Sequence, residues 1–132
     1  RLPNTHLVMH GSSSVPQDLL KEINEYGGEI PETYGVPVEE IRQGIKHGVR
    51  KVNIDTDLRL ASTASIRKFL ADNPAEFDPR KYFAVSQRAM KDVVIARYEA
   101  FGTSGNADKI HAKSLESMFI QYAAGDLAPL IA

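Results

Sequence analysis

Two polar segments have side chains that could hold a metal ion and an anion. Residues 10–14 (His-Gly-Ser-Ser-Ser) follow a short apolar run at positions 7–9, and residues 53–57 (Asn-Ile-Asp-Thr-Asp) end a second run. The first segment offers an imidazole, hydroxyls and turn amides, and the second offers an amide, a hydroxyl and carboxylates. In parallel α/β folds, ligands bind where strands end, so both segments are candidate binding residues.

His10 has two interpretations, a metal ligand or a hydrogen-bonded residue at a strand end. The spacing of His6 and His10 does not make a two-histidine clamp, because four strand steps separate them by about 13 Å. Gly11 permits a tight turn whose amides could bind an anion. The serines after it could equally form a turn and cap the helix that begins near Pro16.

The second segment also has two interpretations. If the strand extends to Asp55, Asn53 and Asp55 share one face, and burying both is costly unless they are paired or bind something. Thr56 or Asp57 could simply cap the next helix, whose N-terminus would also favour phosphate. Arg80 follows an Asp-Pro pair, and from its residue type alone we expect it on the surface.

The composition restricts the classes of function. The 132 residues carry a formal net charge of -1, which gives no general basic field for nucleic acid. The sequence has no cysteine, so a metal site would need His, Asp or Glu, and a cytoplasmic location fits. No apolar run approaches the ~20 residues that a membrane span needs. The first residue is Arg1, which fits a processed chain or a part of a longer protein.

The predicted elements alternate as strand, helix, short helix, strand, helix, which indicates an α/β fold with parallel strands. Two parallel strands cannot bury both of their faces by themselves, so we expect more strands from a larger fold or from another chain. Strands are predicted over residues 6–10 and 49–55, and helices over residues 16–26, 37–47, 57–73, 86–101 and 114–124. Connectors are predicted at residues 73–80 and 103–108.

Four motifs carry a resemblance to a known family. They are residues 10–16 (HGSSSVP), 34–41 (YGVPVEEI), 48–57 (GVRKVNIDTD) and 78–80 (DPR). Together they resemble the class II, metal-dependent fructose-bisphosphate aldolases, and most the Calvin-cycle subtype of bacteria. The resemblance implies the C-terminal part of a (β/α)8 TIM barrel, with the last two βα units in residues 1–73 and a C-terminal helical extension in residues 74–132.

The resemblance also implies a set of functional residues. His10 would be one ligand of a catalytic zinc ion, Zn2+, and no catalytic acid or base lies in this portion. Arg80 would reach a neighbouring subunit and bind the second phosphate of the substrate. The residues expected to contact the sugar bisphosphate are Gly11, Ser12, Ser13, Asn53, Ile54, Asp55, Thr56 and Arg80.

The expected activity is the reversible cleavage of fructose 1,6-bisphosphate to dihydroxyacetone phosphate and glyceraldehyde 3-phosphate, as in glycolysis, gluconeogenesis and the Calvin cycle. The expected partners are the missing N-terminal barrel portion and a second subunit in a dimer or tetramer, and the isolated chain should be inactive. Two alternatives stay open. One is a related aldolase acting on tagatose or sedoheptulose bisphosphate, and the other is a non-catalytic phosphate-binding module.

Overall fold

The two strands pair side by side and parallel, as the sequence predicts. A computed structural model describes residues 5–125, and in it β1 (Leu7–Met9) lies against β2 (Val49–Val52). The Leu7 amide donates to the Gly48 carbonyl at 2.9 Å, and the Asn53 amide donates to the Met9 carbonyl at 3.0 Å. Because the strands run the same way, their carboxyl ends meet at one edge, which brings the two polar segments together.

Helices follow both strands and then continue to the end of the described chain. A 3-10 turn at Ala107–Lys109 begins inside the predicted connector at residues 103–108 and ends one residue beyond it. None of the helices between residues 5 and 125 is both long and apolar enough to cross a membrane. The α-helices are α1 (Gln17–Glu25), α2 (Val38–Lys46), α3 (Thr56–Asp72), α4 (Pro79–Ala100) and α5 (Leu115–Ala124).

Two predicted boundaries are wrong. The fourth helix begins at Pro79 rather than at residue 86, because the Asp78 side chain accepts the Arg80 amide at 3.0 Å and proline suits the first helical position. The second strand ends at Val52 rather than at residue 55. The backbone of Asp55 has already left the extended conformation, with ψ of -53°, and leads into α3.

The core lies between α1 and α3. Five buried residues form its main cluster: Val15, Leu20, Ile23, Leu60 and Ala64. On its other side α3 packs along α4, where the hydroxyls of Ser62 and Ser86 are 2.7 Å apart. The strands themselves are poorly covered, since Leu7 and Val8 are 41% and 51% exposed. Parallel strands are normally buried on both faces, so this exposure fits strands that need further cover.

Candidate functional site

The ends of β1 and β2 bring an imidazole and an amide into contact. Nδ1 of His10 lies 2.8 Å from Nδ2 of Asn53, although 43 positions separate the two residues in the sequence. The Asn53 side-chain oxygen contacts the ammonium group of Lys51. His10 is exposed and Asn53 is half-buried. The amide can therefore orient the ring while one edge of the ring stays open to a ligand.

The chemistry of His10 suits a single metal ligand held by a neighbour. A neutral imidazole has one N–H and one lone pair, so the hydrogen bond at Nδ1 decides the state of Nε2. As placed, Nδ2 of Asn53 donates to Nδ1, so Nε2 carries the ring proton. The lone pair of Nε2 becomes available to a metal when the Asn53 amide turns its oxygen to the ring and gives up its contact with Lys51. Across residues 5–125, no group of three or more His, Cys, Asp or Glu side chains is gathered for a metal.

Gly11 and Ser12 make the turn that follows β1. Gly11 has φ of +61°, which favours glycine, and a side chain there would meet open space. Ser12 is completely buried, and its hydroxyl lies 3.0 Å from the Met9 carbonyl and 2.8 Å from the Asn53 carbonyl. The Ser12 hydroxyl thus links the two strand ends. Its contact with a substrate stays a prediction.

The Ser13 hydroxyl lies at the N-terminus of α3. It accepts the backbone amide of Asp55 at 3.2 Å and that of Thr56 at 3.1 Å. Within residues 5–125 its own proton has no acceptor and is available to donate, and the two amides polarise it toward one. The Ser13 carbonyl accepts the Val36 amide at 3.0 Å, and a side chain at Gly35 would collide with that carbonyl. Ser13 is therefore fixed from both sides with one donor left for an anion.

A buried carboxylate supports the turn from beneath, and sequence reasoning missed its role. Asp57 is 0% exposed, and its side chain does not cap α3. The interpretation of Asp57 as a helix cap is therefore wrong. Its Oδ1 accepts the Val15 amide at 2.9 Å, and its Oδ2 accepts the Ser14 hydroxyl at 2.8 Å and Nη2 of Arg97 at 3.0 Å. The sequence carried no signal of the partner on α4, since 40 positions separate Asp57 from Arg97.

The surroundings of Asp57 favour its charged form. Burial alone would raise the pKa of this carboxyl, but the amide of Val15, the hydroxyl and amide of Ser14 and the Arg97 guanidinium outweigh it. The result is a pKa below the usual value of 3.8. The ionised carboxylate therefore stabilises the folded state above about pH 4, and that contribution is lost as the pH falls through the lowered pKa.

We expect Asp57→Asn to destabilise the protein at pH 7 by roughly 3–5 kcal/mol, because it leaves the Arg97 charge buried without its partner. The melting temperature of the variant should also change less than that of the wild type as the pH falls from about 5 to about 3. Thermal melts across this range measure both effects. Asp72→Asn is the matched control, since Asp72 pairs with Lys68 on the exposed surface of α3. Equal melting curves for Asp57→Asn and Asp72→Asn would contradict the assignment.

Four of the predicted site residues lie near the ends of the two strands, and their environments differ. The expected buried face carrying Asn53 and Asp55 is wrong, because Asp55 is exposed and forms a salt bridge with Arg59 at 2.7 Å. Thr56 is exposed at the start of α3, where its amide meets Ser13. Ile54 is half-buried and lines an apolar groove of about 230 Å³ between β2 and α4. Asn53 and Thr56 are thus brought to the turn, and Asp55 points its carboxylate to α3.

Arg80 lies apart from this centre, in the first turn of α4. Its side chain is 89% exposed, and between residues 5 and 125 its hydrogen bonds all go to Asp78. The Arg80 guanidinium holds the pKa of Asp78 below its usual value. The surface position expected from residue type is confirmed. A guanidinium can bind an anion in a bidentate way, and this one is exposed, but its Nε and Nη2 are bonded to Asp78 here.

Comparisons with known proteins identify the family of the chain. The family model for class-II fructose-bisphosphate aldolase matches residues 1–106. The chain is 75% identical over 131 residues to a fructose-bisphosphate aldolase of Stutzerimonas stutzeri and 73% identical over 131 residues to one of Pseudomonas aeruginosa. It is 60% identical over 126 residues to a fructose-bisphosphate aldolase class 2 of Synechocystis.

The matches cover almost the whole chain but only part of each relative. The Stutzerimonas stutzeri alignment takes in 99% of this chain and 37% of the relative, and the Synechocystis alignment takes in 96% and 35%. The chain thus spans little more than a third of the length of the relatives that it matches. The matched residues include both strand ends, the turn between β1 and α1, and Arg80. The chain belongs to the class II fructose-bisphosphate aldolase family.

Proposed function

We propose that this chain is the C-terminal portion of a zinc-dependent aldolase that cleaves fructose 1,6-bisphosphate reversibly to dihydroxyacetone phosphate and glyceraldehyde 3-phosphate. The observation that carries this proposal is the contact between His10 and Asn53 at 2.8 Å, beside a serine hydroxyl held on a helix N-terminus. A metal ligand, an oriented amide and an anion-binding donor then face one ligand. This set suits a phosphorylated ketose.

His10 would supply one of the three protein ligands that a catalytic zinc ion needs. When bound, zinc polarises the ketone carbonyl of the substrate. Asn53 orients the imidazole through Nδ1 and can place its amide near the ketone and the neighbouring hydroxyl. The remaining ligands and the catalytic acid or base would come from the portion of the protein that this chain does not contain.

The phosphate of the dihydroxyacetone end would lie over Gly11 and Ser13. Gly11 leaves open space beside the backbone, and Ser13 has a proton to donate. The N-terminus of α3 adds positive potential for an anion. Ser12, Ile54, Asp55 and Thr56 would complete the wall of this pocket. Phosphate binding at a distance from the ketone supplies positioning energy for the reaction.

The rest of the protein would complete a (β/α)8 barrel around these strands. The exposure of Leu7 and Val8 on the short parallel pair supports this, since such strands need cover. We propose a homo-oligomer, a dimer or a tetramer, in which Arg80 binds the second phosphate in a neighbouring subunit. A cytoplasmic location and a role in glycolysis, gluconeogenesis or the Calvin cycle fit this activity.

Turnover by a full-length enzyme tests the proposed function. Here the full-length enzyme is the complete protein that carries this chain, or the Stutzerimonas stutzeri relative with its matching segment replaced by it. We expect cleavage of fructose 1,6-bisphosphate that a chelator stops and that added zinc restores, and no turnover by residues 1–132 alone. Turnover that persists without metal, or turnover by the isolated chain, would overturn the proposal. Faster turnover of tagatose or sedoheptulose bisphosphate would instead assign the related aldolase.

We expect Arg80→Ala in the full-length enzyme to raise the KM for fructose 1,6-bisphosphate by about tenfold to a hundredfold, as for the loss of a charge-assisted bidentate contact. The kcat should change less, because the contact is remote from the ketone. Arg88→Ala, an exposed position further along α4, is the control and should leave KM unchanged. Steady-state kinetics measure both variants. An unchanged KM for Arg80→Ala would remove Arg80 from the substrate site.

A further inference from the structure

Arg97 connects the helical extension to the turn at the strand ends. Its Nη2 donates to the Ser14 hydroxyl at 2.7 Å and to Oδ2 of Asp57 at 3.0 Å. Only 18% of its side chain is exposed, in contrast to 89% for Arg80 on the same helix. A nearly buried arginine that contacts a residue 83 positions earlier is placed by the tertiary fold. Its charge is paired with a buried carboxylate and is not exposed to solvent in the way that the Arg80 charge is.

Ser14 gives its hydroxyl proton to this network. The hydroxyl donates to Asp57 and accepts from Arg97, so its proton and a lone pair are both engaged. It therefore fixes the end of the turn and leaves ligand contacts to other groups. The neighbouring Ser13 has the opposite arrangement, since its proton is available.

Val15 shows that the turn is held in a conformation that it would not adopt freely. Its φ is +52°, a left-handed value that is rare for a β-branched residue. Its amide donates to Oδ1 of Asp57 at 2.9 Å, and its carbonyl accepts Nε2 of Gln17 at 2.8 Å. Such a conformation persists only where its surroundings enforce it. Without Arg97, the buried Asp57 loses its charge partner, and the restraint on Val15 weakens.

A relaxed Val15 would displace Ser13, because only Ser14 lies between them. The Ser13 hydroxyl must lie within hydrogen-bond distance of both α3 amides to direct its proton outward. A shift of about 1 Å is enough to weaken a positioned contact severely. The position of Arg97 therefore bears on how well the turn can bind an anion.

We propose that Arg97 is a positioning residue that holds Ser13 and Gly11 in the geometry that binds the substrate phosphate, acting through Ser14 and Asp57. The inference rests on the proposed function, which assigns that phosphate to this turn. It makes α4 a support of the phosphate site in its own subunit, in addition to the role of Arg80 toward a neighbour. The effect on phosphate should exceed any effect on the metal, since the network contacts the turn and not His10.

Arg97→Met and Arg97→Lys in the full-length enzyme test this inference. We expect Arg97→Met to raise the KM for fructose 1,6-bisphosphate and the inhibition constant for inorganic phosphate by about tenfold each, with the zinc content unchanged. Arg97→Lys should recover most of both values, because an ammonium group can still pair with Asp57. The matched control is Arg67→Met, since Nη1 of Arg67 donates to the Tyr26 carbonyl at 3.2 Å at the opposite end of α3. It should leave both constants unchanged.

The outcomes separate positioning from stability alone. A lower melting temperature with both constants unchanged would overturn the inference, and so would equal rises in both constants for Arg67→Met. If Arg97→Met does not fold, Ser14→Ala provides the same two measurements and should raise both constants in the same direction. Calorimetric titration with inorganic phosphate does not depend on turnover. If the enzyme has no aldolase activity but Arg97→Met still lowers its affinity for phosphate, the proposed function is rejected and the role of Arg97 in phosphate binding is retained.

Discussion

Replacing His10 by alanine in the full-length enzyme should remove bound zinc and lower kcat at least about a hundredfold. Loss of a supporting group around a metal ligand already costs about 10- to 100-fold in affinity or activity, and loss of the ligand itself costs more. The remaining site would have two of the three protein ligands that a catalytic zinc ion uses. Metal analysis of the purified protein and steady-state kinetics with excess zinc measure the two effects together.

His6→Ala is the matched control, since His6 precedes the same strand and is also exposed. It should keep its zinc and its turnover. The prediction is specific because a metal ligand must affect zinc content and activity in parallel. A His10→Ala variant that retains full zinc would place the ligand elsewhere, whatever its activity.

Much of this centre could be predicted from the sequence because its position depends on local patterns. Two short apolar runs that end in polar residues predict strands, and helices between them predict that the strands are parallel. Parallel strands end at the same edge, so the proximity of His10 and Asn53 follows from topology. The positions of His10 and Asn53, which end the two runs, could be predicted in this way from the sequence alone.

The supporting network could not be predicted, because it depends on contacts between distant elements. An aspartate in the first turn of a helix usually faces solvent or caps the helix, so Asp57 gave no sign of burial. Arg97 lies in an amphipathic helix where an arginine is ordinarily exposed. The Arg97 guanidinium reaches Asp57 and the turn because α4 packs along α3.

The start of α4, which Asp78 caps, could not be predicted for a different reason. An Asp-Pro pair is compatible with a connector or with a helix start, and the apolar pattern of the helix becomes regular only several residues later. The structure resolves the ambiguity through the side-chain cap on the Arg80 amide. The proposed role of Arg80 toward a neighbouring subunit came from the family resemblance alone, since its exposure by itself predicts nothing beyond a solvated charge.

Replacing Asn53 by alanine should lower kcat by about a hundredfold to a thousandfold, the usual cost of losing one preorganised polar group at the reacting centre. The backbone of Asn53 is fixed independently of its side chain, because its amide donates to Met9 and its carbonyl accepts from Ser12. The substitution should therefore leave β2 and the turn in place. It removes the group that orients His10 and that we propose to place near the ketone.

The KM for fructose 1,6-bisphosphate should change much less than kcat, since the phosphate contacts at Gly11, Ser13 and Arg80 are retained. Arg50→Met is the matched control on the same strand, because within residues 5–125 the Arg50 guanidinium donates only to the Ile45 and Val49 carbonyls at the surface. Steady-state kinetics of the two variants, with zinc content measured alongside, distinguish orientation of the ligand from loss of the metal. A loss confined to KM would assign Asn53 to substrate binding alone and would leave His10 oriented by some other group.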